Sequence, residues 1–233
     1  MTRKERIISA LEHRECDIIP FNADFTEQEN EVMVAYTNDE NFLNQLNCHL
    51  HYIQYWGWPT ELDDKPEHFK DDFGVVWNRS GADKDIGVVV EPNVVDLEEY
   101  HYQFPVVDEA RLRKEYEALI KTKDDKFTMA GFGFSMFERA WSLCGMENVL
   151  MGMVANEAEL KQLFSDICDY NLHLIDIALE YDIDGVYFGD DWGQQSGLIM
   201  GAAHWRNFIK PNMKRMYDRV KSKGKFVMQH SCG

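Results

Sequence analysis

Basic residues are scarce in this chain: 24 Lys and Arg stand against 41 Asp and Glu, for a formal net charge of −17. A surface of that sign repels phosphate backbones and anionic lipid, so nucleic-acid and membrane partners are not expected. Long apolar runs are missing too. No stretch approaches the ~18 residues of a membrane span. Residues 1–15 are charged and amphipathic, without the apolar core of a secretory leader. Cysteines are few and odd in number, five scattered through 233 residues, which is not a disulfide framework. A reducing cytoplasm is the expected compartment. Low-complexity segments are also lacking, which argues against disorder.

What is present is the material of a core. Hydrophobic residues make up 45% of the chain and aromatics 13%, enough for one large α/β domain or two small ones. The acidic runs at 61–64 and 71–72 read as solvated faces. Cys16, Cys48, Cys144 and Cys168 read as small hydrophobes on or near helices. Trp141 and Trp205 lie on apolar helix faces and belong to the core. Trp192 is the tryptophan expected in a pocket.

Periodicity divides the chain into alternating elements. Thr2 followed by Glu5 predicts a capping box, opening a helix with Ile7, Ile8, Ala10 and Leu11 on one face. Residues 18–21 read as a short buried strand, 26–36 and 39–46 as helical, and 49–56 as a second strand. Two β-rich runs, 73–79 and 86–91, flank a polar turn at 80–85, which predicts a hairpin inserted over 73–92. Residues 93–105 read as irregular. Residues 108–121 form an amphipathic helix with Leu112, Tyr116 and Leu119 on one face. Residues 127–131 make a strand, followed by helical pieces at 136–143 and 148–154. Asn156 is expected to cap a long helix whose stripe is Leu160, Leu163, Phe164, Ile167, Leu174, Ile175 and Ala178. A strand at 185–189, a helix from about 203 to 222 kinked or split at Pro211, and a strand at 225–229 complete the pattern.

Strand and helix alternating at this spacing mean parallel βαβ units. No G-x-G-x-x-G follows a strand, so a doubly wound dinucleotide-binding sheet loses its main support. The expected fold is a (β/α)₈ TIM-type barrel. Such a barrel takes about 250 residues, and only four or five of its strands can be placed here. The reading is therefore a single incomplete barrel domain over 1–233, with its C-terminal units missing.

Barrel chemistry sits at the C-terminal ends of the strands. That rule selects Asn22 and Asp24 after the first strand, Phe132 and Phe134 after the strand at 127–131, Asp190, Asp191, Trp192 and Gln194 after 185–189, and His230 and Cys232 after 225–229. Asp190 and Asp191 form the clearest acidic pair. Adjacent residues in extended chain point opposite ways, so at most one of them faces the barrel axis. Such a carboxylate could bind substrate, handle a proton or support a metal; a helix cap or a loop salt bridge is the structural alternative. His230 and Cys232 are two residues apart and point to the same side. Imidazole and thiolate together suit Zn²⁺ with bonds of about 2.0–2.3 Å, but a catalytic zinc usually takes three protein ligands. No third is evident in the sequence.

Several strings resemble the uroporphyrinogen decarboxylase superfamily: FERAWSLCGMEN from Phe137 to Asn148, GDDWGQQ from Gly189 to Gln195, HWRNFIKP from His204 to Pro211, and QHSCG from Gln229 to Gly233. The resemblance implies a (β/α)₈ barrel and one of two activities. One branch decarboxylates uroporphyrinogen III, a step of porphyrin biosynthesis, without a cofactor. The corrinoid-dependent methyltransferase branch uses zinc held by a His-x-Cys pair and a distant C-terminal Cys. His230 and Cys232 match the first two of those ligands, which places the third outside this chain. The decarboxylase branch carries an R-Q-A-G-R motif near its first strand, whereas no Arg or Lys occurs between Asp17 and Tyr36. A substrate with many carboxylates needs cationic partners, preferably Arg forks.

The expectation is therefore zinc-dependent methyl transfer between a corrinoid and a thiol. Asp190 and Asp191 are the catalytic candidates. Asn22, Asp24, Phe134, Trp192 and Gln194 are the substrate-binding candidates. No D-x-H-x-x-G motif is present, so the corrinoid is expected on a separate protein. Cofactor-free decarboxylation of a tetrapyrrole is the alternative activity, and a non-catalytic binding module is the third possibility.

Overall fold

Local capping starts the chain as expected. In the computed structural model, which describes residues 1–81, 87–94, 96–98 and 100–232, helix α1 (Arg3–Leu11) opens on a complete capping box between Thr2 and Glu5. Its buried residue is Ser9, however, while Leu11 is exposed. Helix α2 (Glu27–Thr37) is capped by Thr26 and followed by a 3₁₀ turn, Phe42–Leu46. Residues 18–21 do not form the expected strand. One backbone bond, from the His49 amide to the Phe21 carbonyl, ties them to the sheet, and Ile18, Ile19 and Phe21 are exposed. A strand needs a ladder and a covered face to persist, and this segment has neither.

Strand β1 (Leu50–Tyr55) leads into an antiparallel sheet of β2 (Thr60–Glu61), β3 (His68–Lys70), β4 (Val76–Asn78) and β5 (Val88–Glu91), paired in that order. The expected hairpin is thus half of a four-stranded insertion. Its turn, residues 82–85, and Ile86 lie outside the described residues. Asp71 is buried here, not solvated: it accepts from the amides of Phe73 and Val75, the Trp77 indole and Arg139.

Helix α3 (Glu109–Thr122) buries Leu112, Tyr116 and Leu119 as its period requires. Strand β6 (Phe127–Phe132) is buried at all six positions. Helices α4 (Phe137–Cys144), α5 (Met146–Ala155) and α6 (Glu157–Ala178) follow. All seven stripe residues of α6 are buried, and burying each large one contributes about 1.5–3 kcal/mol. Asn156 stands at the cap position of α6 but its side chain makes no capping bond. After β7 (Gly185–Gly189), a small hairpin of β8 (Gly193–Gln194) and β9 (Gly197–Leu198) leads to α7 (Gly201–His204). Pro211, expected to kink or split the next helix, stands in the first turn of an α-helix that a π-helical turn precedes. A turn of π-helix, Trp205–Ile209, runs directly into α8 (Lys210–Ser222), and that wider turn makes room for a ring that would clash with the carbonyl four residues back. Strand β10 (Phe226–His230) ends the fold.

The main sheet is parallel, ordered β1-β6-β7-β10, so spatial order follows chain order. One face carries Ile53, Ala130, Phe132, Val186, Phe188 and Val227, packed with residues of α3, α6 and α8 into the hydrophobic core. The other face carries Leu50, Tyr52, Phe127, Met129, Tyr187, Phe226 and Met228 and lines two cavities of about 360 and 310 Å³. No helix among the described residues is long and apolar enough to cross a membrane. The five cysteines are free; Cys48, Cys144 and Cys168 are buried, Cys16 is half-buried and Cys232 is exposed.

Candidate metal centre

Strands β7 and β10 pair with His230 opposite Gly189. The residues that follow each strand therefore emerge side by side. The Asp190 amide donates to the His230 carbonyl at 3.2 Å, the Cys232 amide to Asp191 Oδ1 at 2.7 Å, and the Trp192 amide to Ser231 Oγ at 3.0 Å. These bonds hold the two loops together.

Three donor atoms converge there. Cys232 Sγ lies 3.3 Å from His230 Nε2, and His230 Nε2 lies 3.6 Å from Asp191 Oδ1. One ligand atom from each of Asp191, His230 and Cys232 lies within 4.8 Å of the others. Bonds of 2.0–2.3 Å in a tetrahedron set donor–donor edges of roughly 3.3–3.6 Å, which the two separations at His230 Nε2 match, so this nitrogen, sulfur and oxygen set could hold a zinc-sized ion. Beside the expected His-x-Cys pair, the fold brings Asp191 as a further candidate donor, a residue that the sequence left unconnected to that pair. Without a cation, the Cys232 thiol is pushed up by its hydrogen bond to Asp191 and by that carboxylate's charge.

Asp190 has a different surrounding. It is wholly buried and accepts from the amides of Met136, Phe137 and Glu138 at 3.2, 2.9 and 2.8 Å, and from the Trp192 indole. It serves as the cap that Met136, at the start of α4, cannot provide. Burial raises its pKa to about 6, opposed by those same hydrogen bonds. Both oxygens of Asp190, expected as a catalytic carboxylate, accept two of these hydrogen bonds each.

Glu138 was not singled out from the sequence, although it lies within the Phe137–Asn148 string. Its carboxylate accepts from the Asp191 amide, and burial, then the charges of Asp190 and Asp191, raise its pKa to about 8. Only the contact between the α4 terminus and the β7 loop reveals it.

Asn22 and Asp24 are joined by a 2.9 Å hydrogen bond and line the 310 Å³ cavity with Tyr52, Tyr187 and His230. The Tyr52 hydroxyl pKa is raised by burial and by its hydrogen bond to Asp24. Phe134 sits elsewhere, in a third cavity, with φ of +51°. Trp192 packs edge-on against Trp205 and lines none of the described cavities; Trp56 and Trp77 line one. Gln194 is exposed on β8, and no hydrogen bond of its side chain to the cluster occurs among the described residues.

A family model described as uroporphyrinogen decarboxylase (URO-D) matches residues 81–233. Among solved structures, a methyltransferase from Methanosarcina mazei superposes with a TM-score of 0.67 at 16% identity, covering 100% of this chain and 70% of that one. At that identity the likeness is one of fold. Comparison with curated proteins gives no match.

Proposed function

The chain belongs to the uroporphyrinogen decarboxylase family, and from that premise we propose that it is a zinc-dependent methyltransferase moving a methyl group between a corrinoid and a small thiol. The observation that carries this reading is the convergence of Asp191, His230 and Cys232 at the ends of two adjacent parallel strands. Similarity in fold to a protein named as a methyltransferase supports it.

In this reading the four-stranded sheet is part of a (β/α)₈ barrel closed by further units. Chain-ordered strands, helices on one face and an apolar opposite face support that closure. The antiparallel sheet β2–β5 is an insertion between the first barrel units.

His230, Cys232 and Asp191 hold the ion. Zinc bound there supplies Lewis acidity that keeps an acceptor thiol as thiolate near neutral pH. Asp190 fixes the β7 loop against α4, so that Asp191 faces β10. The neighbouring carboxyl of Glu138 accepts from the Asp191 amide and so helps to hold Asp191 in place. Asn22, Asp24 and Tyr52 line the cavity beside His230 and orient the acceptor. The corrinoid arrives on a separate protein.

The alternative, cofactor-free decarboxylation of a tetrapyrrole, is less well supported. Among the described residues no Arg or Lys lines the cavity beside His230, and a substrate of many carboxylates would lie there unpaired. A zinc assay on the chain and on Cys232→Ala, together with methyl transfer from methylcobalamin to a thiol before and after chelation, tests the proposal. Equal zinc in both proteins, or methyl transfer insensitive to chelation, would overturn it. Turnover of uroporphyrinogen by metal-free protein would establish the alternative.

A further inference from the structure

The third cavity, about 260 Å³, lies between the antiparallel insertion and the loops after β1 and β6, and none of the candidate metal donors lines it. Its walls are aromatic. Phe69 and Trp77, partners across β3 and β4, stack with an interplanar angle of 5°. Phe134 stands nearly perpendicular to Trp77, at 85°, and meets Trp56 at 70°. These rings touch one another, with centroids 5.4–5.5 Å apart, and a flat ring laid in the cavity they line can stack on one ring and meet another edge-on. A cavity of about 150 Å³ already accepts benzene, so this one has room for a ring with substituents.

Charge selects what the ring should carry. Of the two arginines in the lining, Arg139 is neutralised: its Nη1 lies 3.0 Å from Asp71, and both side chains are buried. Asp71 is fully engaged, since it also accepts from the Trp77 indole and two backbone amides. Arg79 differs. Its guanidinium rests 4.1 Å above the Phe69 ring, and its Nε is buried with no hydrogen-bond partner among the described residues. An unsatisfied buried donor costs about 1–3 kcal/mol. A planar carboxylate matches the guanidinium fork and would satisfy it. The site is notable in a chain of net charge −17, whose general field would not draw anions to it.

We propose that this cavity binds a small planar aromatic carboxylate, with the ring against the wall formed by Trp56, Trp77 and Phe134 and the carboxylate on Arg79. The assignment stands apart from the zinc proposal, because none of its residues is a metal donor.

The test is titration of the whole chain with benzoate, read by calorimetry and by tryptophan fluorescence, since Trp56 and Trp77 form the walls. Benzamide keeps the ring without the charge. Cyclohexanecarboxylate keeps the charge without the flat ring. Saturable benzoate binding is expected, weaker by roughly 10-fold or more for either analogue. Arg79→Gln should weaken benzoate by roughly 10- to 100-fold and leave benzamide unchanged. Arg79→Lys, which keeps the charge and loses the fork, should fall between them. No saturable binding of benzoate, equal affinity for benzoate and benzamide, or equal affinity for benzoate and cyclohexanecarboxylate would overturn the proposal. If Arg79→Gln does not fold, the wild-type comparison of the three ligands and the Arg79→Lys variant decide it; unchanged benzoate affinity in a folded Arg79 variant also overturns it.

Discussion

The carboxylates of Asp190 and Asp191 leave one strand end in opposite directions: the first is sealed beneath the start of α4, while the second meets His230 and Cys232. Alternation of side chains in extended backbone produces this split. It assigns the two residues separate tasks, which separate substitutions should distinguish.

Asp190→Asn should act on stability. Asn keeps one acceptor oxygen where three backbone amides and an indole now converge on two. A loss of about 1–3 kcal/mol is expected in urea unfolding. A folded, fully stable variant would show that α4 does not depend on this cap.

Asp191→Asn should act on the metal. With the backbone geometry retained, zinc affinity measured by competition with a chromogenic chelator should fall at least about 10-fold, and His230→Ala and Cys232→Ala should behave likewise. Unchanged affinity in Asp191→Asn alone would remove Asp191 from the ligand set and leave the other two.

Glu138 should make stability depend on pH. Its pKa is raised from 4.5 to about 8 by burial and by Asp190 and Asp191. Below pH 4.5 both folded and unfolded chains hold the proton. Between 4.5 and 8 the folded state retains a proton that the unfolded state has lost, so stability falls as pH rises through this window. Denaturant melts in chelator at pH 5, 6, 7 and 8 should therefore show a steeper decline in the wild type than in Glu138→Gln. Parallel curves would mean that this carboxyl titrates normally.

The Asp71–Arg139 pair should be costly to break. Both side chains are 7% exposed, and removing one partner strands the other charge. Asp71→Asn is expected to lose about 3–5 kcal/mol, detectable as a lowered thermal midpoint. A loss below 1 kcal/mol would indicate that water reaches the guanidinium.

Gly133 controls Trp56. A Cβ at this position would fall 2.3 Å from the indole ring, so Gly133→Ala should displace Trp56 from its cavity wall. Altered tryptophan emission and weaker benzoate binding are expected in a variant that still folds. Wild-type emission and binding would show that the backbone yields instead.

Local chemistry was legible in the sequence where short-range physics is sufficient. The α6 stripe, the Thr2 capping box, β7 at 185–189 and the insertion's later strands follow from periods and caps that involve only near neighbours. The His230-x-Cys232 pair was legible for the same reason, since two residues of one strand share a side by geometry alone. The segment at 18–21 has the composition of a buried strand, but burial needs a covering layer and a second ladder, and no local pattern reports either. Acidic residues at 71–72 look solvated until Arg139, far along the chain, reaches Asp71.

The amino-acid sequence by itself determined the element order, the family strings and two of the three candidate donors. Only the tertiary structure decided that Asp191 joins them as a candidate, that Asp190 caps α4, that Glu138 stands beside them, and that four aromatic rings and the Arg79 guanidinium share one cavity. The physical reason is range: backbone period and capping act over a few residues, whereas ligand sets, buried charges and cavities are made by parallel strands and insertions that join residues tens of positions apart.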